Sequence, residues 1–260
     1  MGGQIRVETD GAIGWMVFDQ PERRNAVSLE MWEAMPEAIA GLDADNDVRV
    51  IVLRGEGTEA FVAGADISQF EQNRLGDGVG TYEHATGAAF AALEHTNKPT
   101  IAMIHGFCVG GGMAIALSCD IRYCDVHARF TIPAAKLGIG YAAAGIEKLM
   151  QLVGPSVAKE VFFSAKLFDA ETALRWGLVN EVMSAAALAD HVADMAGRMA
   201  QNAPLTQRAV KLIVRDLGKP LSHRESSVTD AAVQACMDSE DYREGIRAFM
   251  EKRPPAFRGA

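Results

Sequence analysis

The chain has 260 residues, of which 49% are apolar and 23% are charged. This length allows a substantial buried core in one large domain or two small ones, and the composition is ordinary for a globular protein. The formal net charge of −9 argues against a general nucleic-acid-binding surface, although a local basic patch could still contact the phosphates of a ligand.

The sequence gives no indication of secretion, membrane insertion or a bound cofactor. The N-terminus lacks the basic, apolar and small-residue pattern of a signal peptide. The most apolar stretch, residues 100–117, contains His105 and several glycines and is predicted to be a buried core. The four cysteines form neither C-x-x-C pairs nor a disulfide framework, and no H-E-x-x-H, P-loop or G-x-G-x-x-G motif occurs. We expect a cytoplasmic protein without a metal, a separate cofactor, a membrane partner or a nucleic-acid partner.

The first half of the chain is predicted to be rich in strands. Apolar runs at residues 5–8 and 13–18 flank a turn, which predicts a β-hairpin. Ser28 is a suitable N-cap for a helix that runs to about residue 42. Further strands, alternating with helices, are predicted at residues 48–53, 100–104, 121–124 and 129–131.

Helical patterns dominate from about residue 143 onward, and several begin with Pro, Ser or Asp. Strands early and helices late predict an α/β core followed by a helical region. A short strand signal returns at residues 179–183. The predicted helices cover residues 144–152, 155–164, 170–176, 188–201, 204–216, 223–237 and 241–251.

Three successive glycines, residues 110–112, stand between the apolar run at 100–104 and an apolar helix. Residues without Cβ let a ligand approach the main chain, and the first turn of a helix leaves N–H groups without an internal partner. Such donors, aided by the helix dipole, suit a carbonyl oxygen that becomes negative during a reaction. Tight packing of a strand against a helix would require the same glycines, so this stretch alone leaves both interpretations open.

A second candidate for the same task is F-V-A-G-A-D-I at residues 61–67. With P-E-R-R-N-A-V-S at 21–28, K-P-T-I-A-M-I-H-G at 98–106, A-K-L-G-I-G at 135–140 and E-G-I-R-A-F-M-E-K-R at 244–253, the chain resembles the crotonase superfamily of enoyl-CoA hydratases and isomerases. The resemblance covers almost the whole chain. It implies a right-handed spiral of ββα units at residues 1–200 that binds acyl-CoA. It also implies a helical region at residues 201–260 that contacts CoA and packs trimers, often paired into hexamers.

The resemblance further implies an oxyanion hole. In this family an enolate, or a comparable oxyanion, forms from a CoA thioester and is held by two backbone N–H groups. The matching positions here are Ala65 and Gly111, and one such donor can be worth about 3 kcal/mol. Because CoA belongs to the substrate, no separate cofactor is expected.

The acid and base groups of the family have no counterpart at the matching positions. Hydratases use two glutamates, where this sequence has Ala114 and Ala134, and some isomerases use an aspartate, where it has Ala142. An alanine cannot titrate, and general acid–base groups often contribute about 10²- to 10⁴-fold each. The usual hydration mechanism is therefore expected to be absent or very slow.

Tyr141 is the polar residue that remains in this neighbourhood. A tyrosine here resembles the methylmalonyl-CoA decarboxylase branch, where it orients the substrate carboxylate, although the histidine of that branch is replaced by Ala65. Tyr141 could donate a hydrogen bond, but a reference pKa near 10 makes it a poor base, and it could equally line an acyl pocket. The leading prediction is a lyase or decarboxylase-type step. A hydratase or isomerase with unidentified acid–base groups and a non-catalytic acyl-CoA binder are the alternatives.

Contacts to CoA are implied at the oxyanion loop, at the loop before the first long helix and near the C-terminus. Arg23, Arg24 and Lys252 could contact the phosphates of CoA. They could equally be surface charges that interact only with solvent. Residues 69–80 are predicted to be a mobile loop that could act as a lid or a substrate wall. The implied CoA-binding residues are Arg23, Arg24, Ala63, Asp66, Ile67, Phe249 and Lys252.

Overall fold

The computed structural model of the protein describes residues 2–66 and 78–260. Within these ranges the chain forms ten strands and ten α-helices. The strands are β1 (Gln4–Asp10), β2 (Ile13–Asp19), β3 (Val50–Gly55), β4 (Ala60–Val62), β5 (Thr100–Ile104), β6 (Phe107–Val109), β7 (Ile121–Asp125), β8 (Arg129–Thr131), β9 (Phe168–Asp169) and β10 (Glu181–Met183). The helices are α1 (Leu29–Ala44), α2 (Gly78–His95), α3 (Gly111–Ser118), α4 (Ala134–Leu137), α5 (Ala143–Ser164), α6 (Ala170–Arg175), α7 (Ala185–Ala200), α8 (Pro204–Leu217), α9 (Ser226–Asp238) and α10 (Glu240–Glu251).

The larger sheet has the strand order β1-β2-β3-β5-β7-β10. Its first two strands form the predicted antiparallel hairpin, with Gln4 opposite Asp19 and Asp10 opposite Ile13. From β2 onward each neighbouring pair is parallel. Parallel neighbours need crossover connections, which helices provide along most of this chain. The predicted α/β class is confirmed.

Side chains that alternate along β3 enter two different hydrophobic clusters. Ile51 and Leu53 pack in the main core with residues of α1, α2 and α3. Val50 and Val52 face the opposite side, where they pack against α7. A strand that is covered on both faces is apolar at nearly every position, as β3 is.

A smaller sheet has the order β4-β6-β8-β9, and of its four strands the sequence predicted β8. β4 and β6 are parallel, with Ala60 opposite Phe107 and Val62 opposite Cys108. β4 and β6 have three residues each and β9 has two, which is too few for a periodic pattern. This sheet fixes the positions of the two glycine-containing turns.

Helix α1 begins where the sequence predicts. The Ser28 side chain accepts a hydrogen bond from the backbone N–H of Met31 at 3.3 Å, which caps the helix. The buried face of α1 packs against α2 and the main core. Its buried residues are Met31, Trp32, Met35, Ile39 and Leu42.

The C-terminal helices lie close to their predicted positions. Residues 143–164 form two helical segments that meet at a kink, as predicted, because Gly154 has a φ of +76° and interrupts the helix just before Pro155. The last 60 residues also contact the core. The Lys211 Nζ donates to the Lys98 carbonyl oxygen at 3.0 Å and to Asp120 Oδ2 at 2.8 Å. The boundary at residue 200 stays a prediction.

Two further predictions concern the location of the protein and the mobility of residues 69–80. None of the helices in the described ranges is both long and apolar enough to cross a bilayer. Most of the segment that we predict to be mobile, residues 69–80, lies outside the described residues, and α2 already begins at Gly78. The cytoplasmic location stays a prediction.

Candidate active site

Two turns leave the smaller sheet side by side. β4 ends at Val62 and β6 ends at Val109, so the chain enters both turns from paired parallel strands. A Cβ built on Gly112 would lie 2.1 Å from the Val62 carbonyl oxygen. One built on Gly111 would lie 3.7 Å from the Ala65 nitrogen. The turns are therefore in direct contact, and the glycines permit that contact.

The backbone around Ala65 points its N–H group toward the second turn. Val27 forms a parallel bridge with Ala65, in which the Gly64 carbonyl accepts from Val27 N–H at 2.8 Å and Asp66 N–H donates to the Val27 carbonyl at 3.0 Å. Since the polar groups of successive residues in an extended chain alternate in direction, the Ala65 N–H faces away from Val27. Gly64 has a φ of +119°, a conformation that favours glycine.

The backbone at the second turn supplies the other amide. Gly110 has a φ of +53°, and its N–H donates to the Thr131 carbonyl at 2.9 Å. Helix α3 then begins at Gly111, whose N–H belongs to the first turn and has no intrahelical partner. Across residues 2–66 and 78–260, neither the Ala65 N–H nor the Gly111 N–H makes a hydrogen bond. The structure thus brings together two half-exposed amide donors, as an oxyanion site requires.

The three alanines that we predict to replace acid–base groups lie on different elements. Ala114 is in the first turn of α3, where its N–H donates to the Gly110 carbonyl at 3.0 Å. Ala134 is buried at the start of α4, directly after Pro133. Ala142 is exposed at the N-cap of α5. None of these side chains can accept or release a proton.

Tyr141 is half-buried at the start of α5. Its ring meets the Phe162 ring edge-on, with the centroids 4.9 Å apart and an interplanar angle of 64°. A Cβ on Gly145 would lie 2.5 Å from Tyr141 Cε1, so this glycine makes room for the ring. The tyrosine ring is therefore held by packing. Its chemical role stays a prediction.

The arginine loop is tied to the first of the two turns. Arg23 Nη1 lies 2.7 Å from Asp66 Oδ1 and 2.6 Å from Asp66 Oδ2, and Gln20 Nε2 donates to Asp66 Oδ2 at 3.2 Å. The Ala63 N–H donates to the Arg24 carbonyl at 3.0 Å. Asp66 is only 8% exposed, so it anchors Arg23 beside the turn. Ile67, the next residue implied by the family match, lies outside the described residues.

A groove with a volume of about 270 Å³ runs alongside the two turns. The Arg24 guanidinium carbon lies 4.9 Å from the centre of the Phe107 ring, and Arg24 Nε donates to Glu59 Oε1 at 2.7 Å. A Cβ on Gly110 would lie 3.7 Å from Pro133 Cδ, which places the groove wall beside the second turn. The groove is lined by Arg24, Ala63, Phe107, Val109, Thr131, Pro133, Lys136, Ala165 and Leu167.

Sequence reasoning found two groove residues, Arg24 and Ala63, and missed the others. Phe107 lies on a three-residue strand and Lys136 lies on a four-residue helix, and elements this short leave little periodic signal. Thr131 ends β8, which the sequence predicts as a strand without indicating that it borders a groove. The one sequence feature that could have indicated this side of the groove is the polar Thr131 within the apolar segment F-T-I-P.

The implied C-terminal contacts do not line the groove of this chain. Phe249 is 83% exposed near the end of α10. Lys252 is the C-cap of that helix, with a φ of +53° and an exposed side chain. Other large apolar side chains on α8 and α10 are also exposed, among them Val210, Val214, Leu217, Ile246 and Met250.

The surroundings of His105 and Cys108 indicate a structural role for both side chains rather than a catalytic one. His105 Nδ1 lies 2.8 Å from Asp125 Oδ2 at the end of β7, the strand that neighbours β5. Burial raises the pKa of the Cys108 thiol well above its ordinary value, and the Cys124 and Cys119 thiols add to this effect. A thiol in that environment is a poor nucleophile.

Comparison with known proteins gives a consistent result. A family model described as enoyl-CoA hydratase/isomerase matches residues 8–260. A short-chain-enoyl-CoA hydratase from Clostridium acetobutylicum is 33% identical over 252 residues, which cover 96% of this chain and 95% of that protein. A carnitinyl-CoA dehydratase from Salmonella arizonae is 34% identical over the full length of both chains. A solved structure from Magnetospirillum magneticum, described as an enoyl-CoA hydratase/carnithine racemase, superposes with a TM-score of 0.92 at 34% identity and covers 98% of this chain and 96% of that one.

Proposed function

The chain belongs to the enoyl-CoA hydratase/isomerase family, and from this premise we propose that it binds an acyl-CoA and polarises the thioester carbonyl between the N–H groups of Ala65 and Gly111. The observation that carries the proposal is the contact of the two turns, in which both amides lack a partner within the described part of the chain. As negative charge develops on the thioester oxygen, both donors strengthen their hydrogen bonds to it. Each contributes about 3 kcal/mol to lowering the barrier.

The reaction that we propose first is a lyase step of the decarboxylase type. In this step the bond between the α-carbon and a substrate carboxylate breaks, and carbon dioxide leaves. The electron pair of that bond moves into the thioester and forms an enolate, whose oxygen the two amides hold. A proton from water or from a nearby acid then completes the α-carbon. Because no proton must be removed from carbon, the step does not need carboxylates at Ala114 and Ala134.

Tyr141 is the side chain that we propose to orient the substrate carboxylate. Its ring is held against Phe162, so its hydroxyl group has a restricted range of positions. A hydrogen bond from this hydroxyl would fix the angle of the breaking bond relative to the thioester plane.

We place the CoA moiety along the groove, with its phosphates toward the arginine loop. The mouth carries Arg24 and Lys136, and the walls at Phe107, Val109 and Pro133 are apolar. A long amide-containing arm with an anionic end suits this arrangement. Phe249 and Lys252 would reach the CoA of a neighbouring copy in a trimer or hexamer, which is a proposal that the exposed apolar side chains of α8 and α10 support.

Hydration or dehydration of an acyl-CoA is the second candidate, which the names of the curated relatives favour. This reaction would need acid and base groups other than Ala114 and Ala134. Without them, each missing group would cost about 10²- to 10⁴-fold in rate.

Mass spectrometry of the protein incubated with enoyl-CoA, malonyl-type and 3-oxoacyl-CoA thioesters separates these candidates. Loss of carbon dioxide from a malonyl-type thioester, with one solvent deuterium on the product in D₂O, is the expected result. Gain of water on an enoyl-CoA would replace the lyase proposal by the second candidate. Saturable binding of an unreactive acyl-CoA analogue without any turnover would favour a carrier, and no binding at millimolar concentration would refute the thioester site itself.

A comparison of Tyr141→Phe with the matched variant Tyr242→Phe tests the orienting role. Tyr242 lies on α10 and is 47% exposed, so its substitution controls for loss of a phenol elsewhere. We expect Tyr141→Phe alone to lower turnover of a carboxylated substrate by about tenfold or more. Equal turnover in both variants would make Tyr141 a pocket wall.

A further inference from the structure

The first of the two turns contains a buried carboxylate beside its amide donor. Asp66 follows Ala65 directly and is only 8% exposed. Arg23 Nη1 contacts both carboxylate oxygens, at 2.7 and 2.6 Å, and Gln20 Nε2 donates to one of them at 3.2 Å. A buried carboxylate is unfavourable unless it is paired and hydrogen-bonded, and this one is both. An ion pair thus lies within one residue of the proposed oxyanion donor.

Hydrogen bonds around Ala65 fix the direction of its amide. The Gly64 carbonyl and the Ala65 N–H belong to one trans peptide group, in which they point in opposite directions. Because that carbonyl accepts from Val27 N–H at 2.8 Å, the Ala65 N–H points away from Val27. Gly64 lacks Cβ and has a φ of +119°, so this peptide group rotates more easily than one between two residues with side chains. The direction of the amide therefore depends on anchors at the residues that flank it.

Asp66 is the anchor on the C-terminal side of the amide. Its N–H donates to the Val27 carbonyl at 3.0 Å, and its carboxylate is held by Arg23, which lies four residues before Val27. The backbone and the side chain of Asp66 are thus both attached to residues 23–27. Charge-assisted hydrogen bonds are stronger than bonds between neutral groups, so Arg23 supplies the stronger of the two attachments. Loss of the ion pair would weaken the anchor and allow the peptide group before Ala65 to rotate.

The charge of Asp66 adds a second requirement. Negative charge develops on the thioester oxygen during the proposed reaction, and a carboxylate one residue from the donor opposes that charge. The Arg23 guanidinium offsets this repulsion, because it is always charged and contacts both carboxylate oxygens. The two arginines also differ in position: Arg24 lines the groove, whereas Arg23 is not among the described residues that line it.

We infer that the Arg23–Asp66 ion pair positions the Ala65 amide, with Asp66 as a positioning residue that acts through the backbone of the turn and Arg23 as its counter-ion. In this role Arg23 stabilises the oxyanion site instead of contacting the CoA phosphates, the role that the resemblance implied for both arginines. The inference rests on the proposed function, because it concerns the same oxyanion site.

The carbonyl resonance of a bound thioester tests the inference without turnover. Butanoyl-CoA labelled with ¹³C at the thioester carbonyl has neither a carboxylate to lose nor a double bond to hydrate. Hydrogen bonds to a carbonyl oxygen move the ¹³C resonance of that carbonyl downfield. We expect such a shift when the wild-type protein is saturated with this ligand.

Asp66→Asn keeps the size of the side chain and removes its charge. We expect this variant to lose at least half of the downfield shift and to turn over the substrate found by mass spectrometry about tenfold or more slowly, while butanoyl-CoA still binds. Glu59→Gln is the matched control, because it removes the carboxylate that pairs with Arg24 at 2.7 Å and leaves the Ala65 turn unchanged. We expect that control to keep the full shift. An equal loss in both variants would overturn the inference.

Arg23→Met leaves the buried Asp66 carboxylate without this cation, and it decides the question if Asp66→Asn does not fold. We expect a larger loss of turnover than in Asp66→Asn, and partial recovery in the double variant Arg23→Met/Asp66→Asn, because the uncompensated charge is gone. Calorimetry with free CoA should show unchanged affinity in Arg23→Met. A double variant slower than Arg23→Met alone would contradict the ion-pair role, and weakened CoA affinity with a full carbonyl shift in Arg23→Met would make Arg23 a phosphate contact.

The same resonance separates the inference from the proposed function. A downfield shift in the wild-type protein that both Asp66→Asn and Arg23→Met keep overturns the inference and leaves the proposed function standing. Bound butanoyl-CoA with an unshifted carbonyl in the wild-type protein, or no binding at all, refutes both.

Discussion

Replacing Gly112 by alanine should damage the oxyanion site more than the fold. The new Cβ would lie 2.1 Å from the Val62 carbonyl oxygen and 2.7 Å from Val62 Cβ, whereas ordinary contacts begin at 3.4 Å. Because the obstacle is backbone at the end of β4, no side-chain rotation relieves it. The turn that carries Ala65 must move away from the start of α3. That movement separates the Ala65 and Gly111 amides.

The structure sets the size of the two effects. Inserting a methyl group into a well-packed site lowers the free energy of unfolding by about 1–3 kcal/mol. A misplacement of about 1 Å between catalytic groups can lower turnover by about 100-fold. Affinity for CoA itself should change much less, because the atoms nearest to the new methyl group belong to Val62, which does not line the groove.

Urea unfolding, turnover of the substrate found by mass spectrometry and calorimetry with free CoA give the three quantities. Gly87→Ala is the matched control, since Gly87 lies on the exposed side of α2 with no atom within 4 Å of the added Cβ. We expect that variant to keep full turnover and to gain about 0.5–1 kcal/mol from the better helix propensity of alanine. Wild-type turnover in Gly112→Ala would refute the assignment of the two amides as the oxyanion site.

Three other perturbations test hydrogen bonds that hold the site and the C-terminal region in place. Arg122→Met should lower the free energy of unfolding in urea by about 3 kcal/mol, because the buried guanidinium donates to the carbonyl oxygens of Leu178, Ala116 and Cys119 and the variant loses these hydrogen bonds. A loss below about 1 kcal/mol would contradict this. Ser28→Ala should cost about 1 kcal/mol in the same assay through loss of the cap of α1, and an unchanged urea midpoint would show that the cap is dispensable. Hydrogen bonds from Arg253 and a backbone amide lower the pKa of Glu244 from 4.5 to about 2, so their stabilisation is complete above pH 4.5 and is lost as the pH falls toward 2. Thermal unfolding across that range should show a pH dependence that Glu244→Gln reduces, and identical pH profiles would refute it.

Local patterns were sufficient to predict most of the long elements. The hairpin, the cap at Ser28 and the strand at residues 100–104 follow from alternation, capping chemistry and apolar runs that are complete within a few residues. The interruption of α5 at Gly154 was likewise visible, since a glycine followed by a proline separates the two predicted helices. Family resemblance, rather than these patterns, indicated Ala65 and Gly111.

Of the smaller sheet, local patterns predicted β8 and missed the other three strands. β4 and β6 have three residues each and are held by pairing with each other, so neither shows a periodic signal. Without that pairing, the sequence gives no reason to place Phe107, Thr131 and Lys136 along one groove.

The sequence by itself determined that glycines would open the main chain at residues 110–112 and that no titratable side chain would stand at Ala114 or Ala134. Only the tertiary structure decided what lies opposite those glycines. The Ala65 amide comes from the turn after β4, and the Trp32 indole comes from a helix much earlier in the chain. Their meeting at Gly111 depends on the strand pairing of the small sheet and the packing of α1 on the core, which are interactions between segments that no local sequence pattern records.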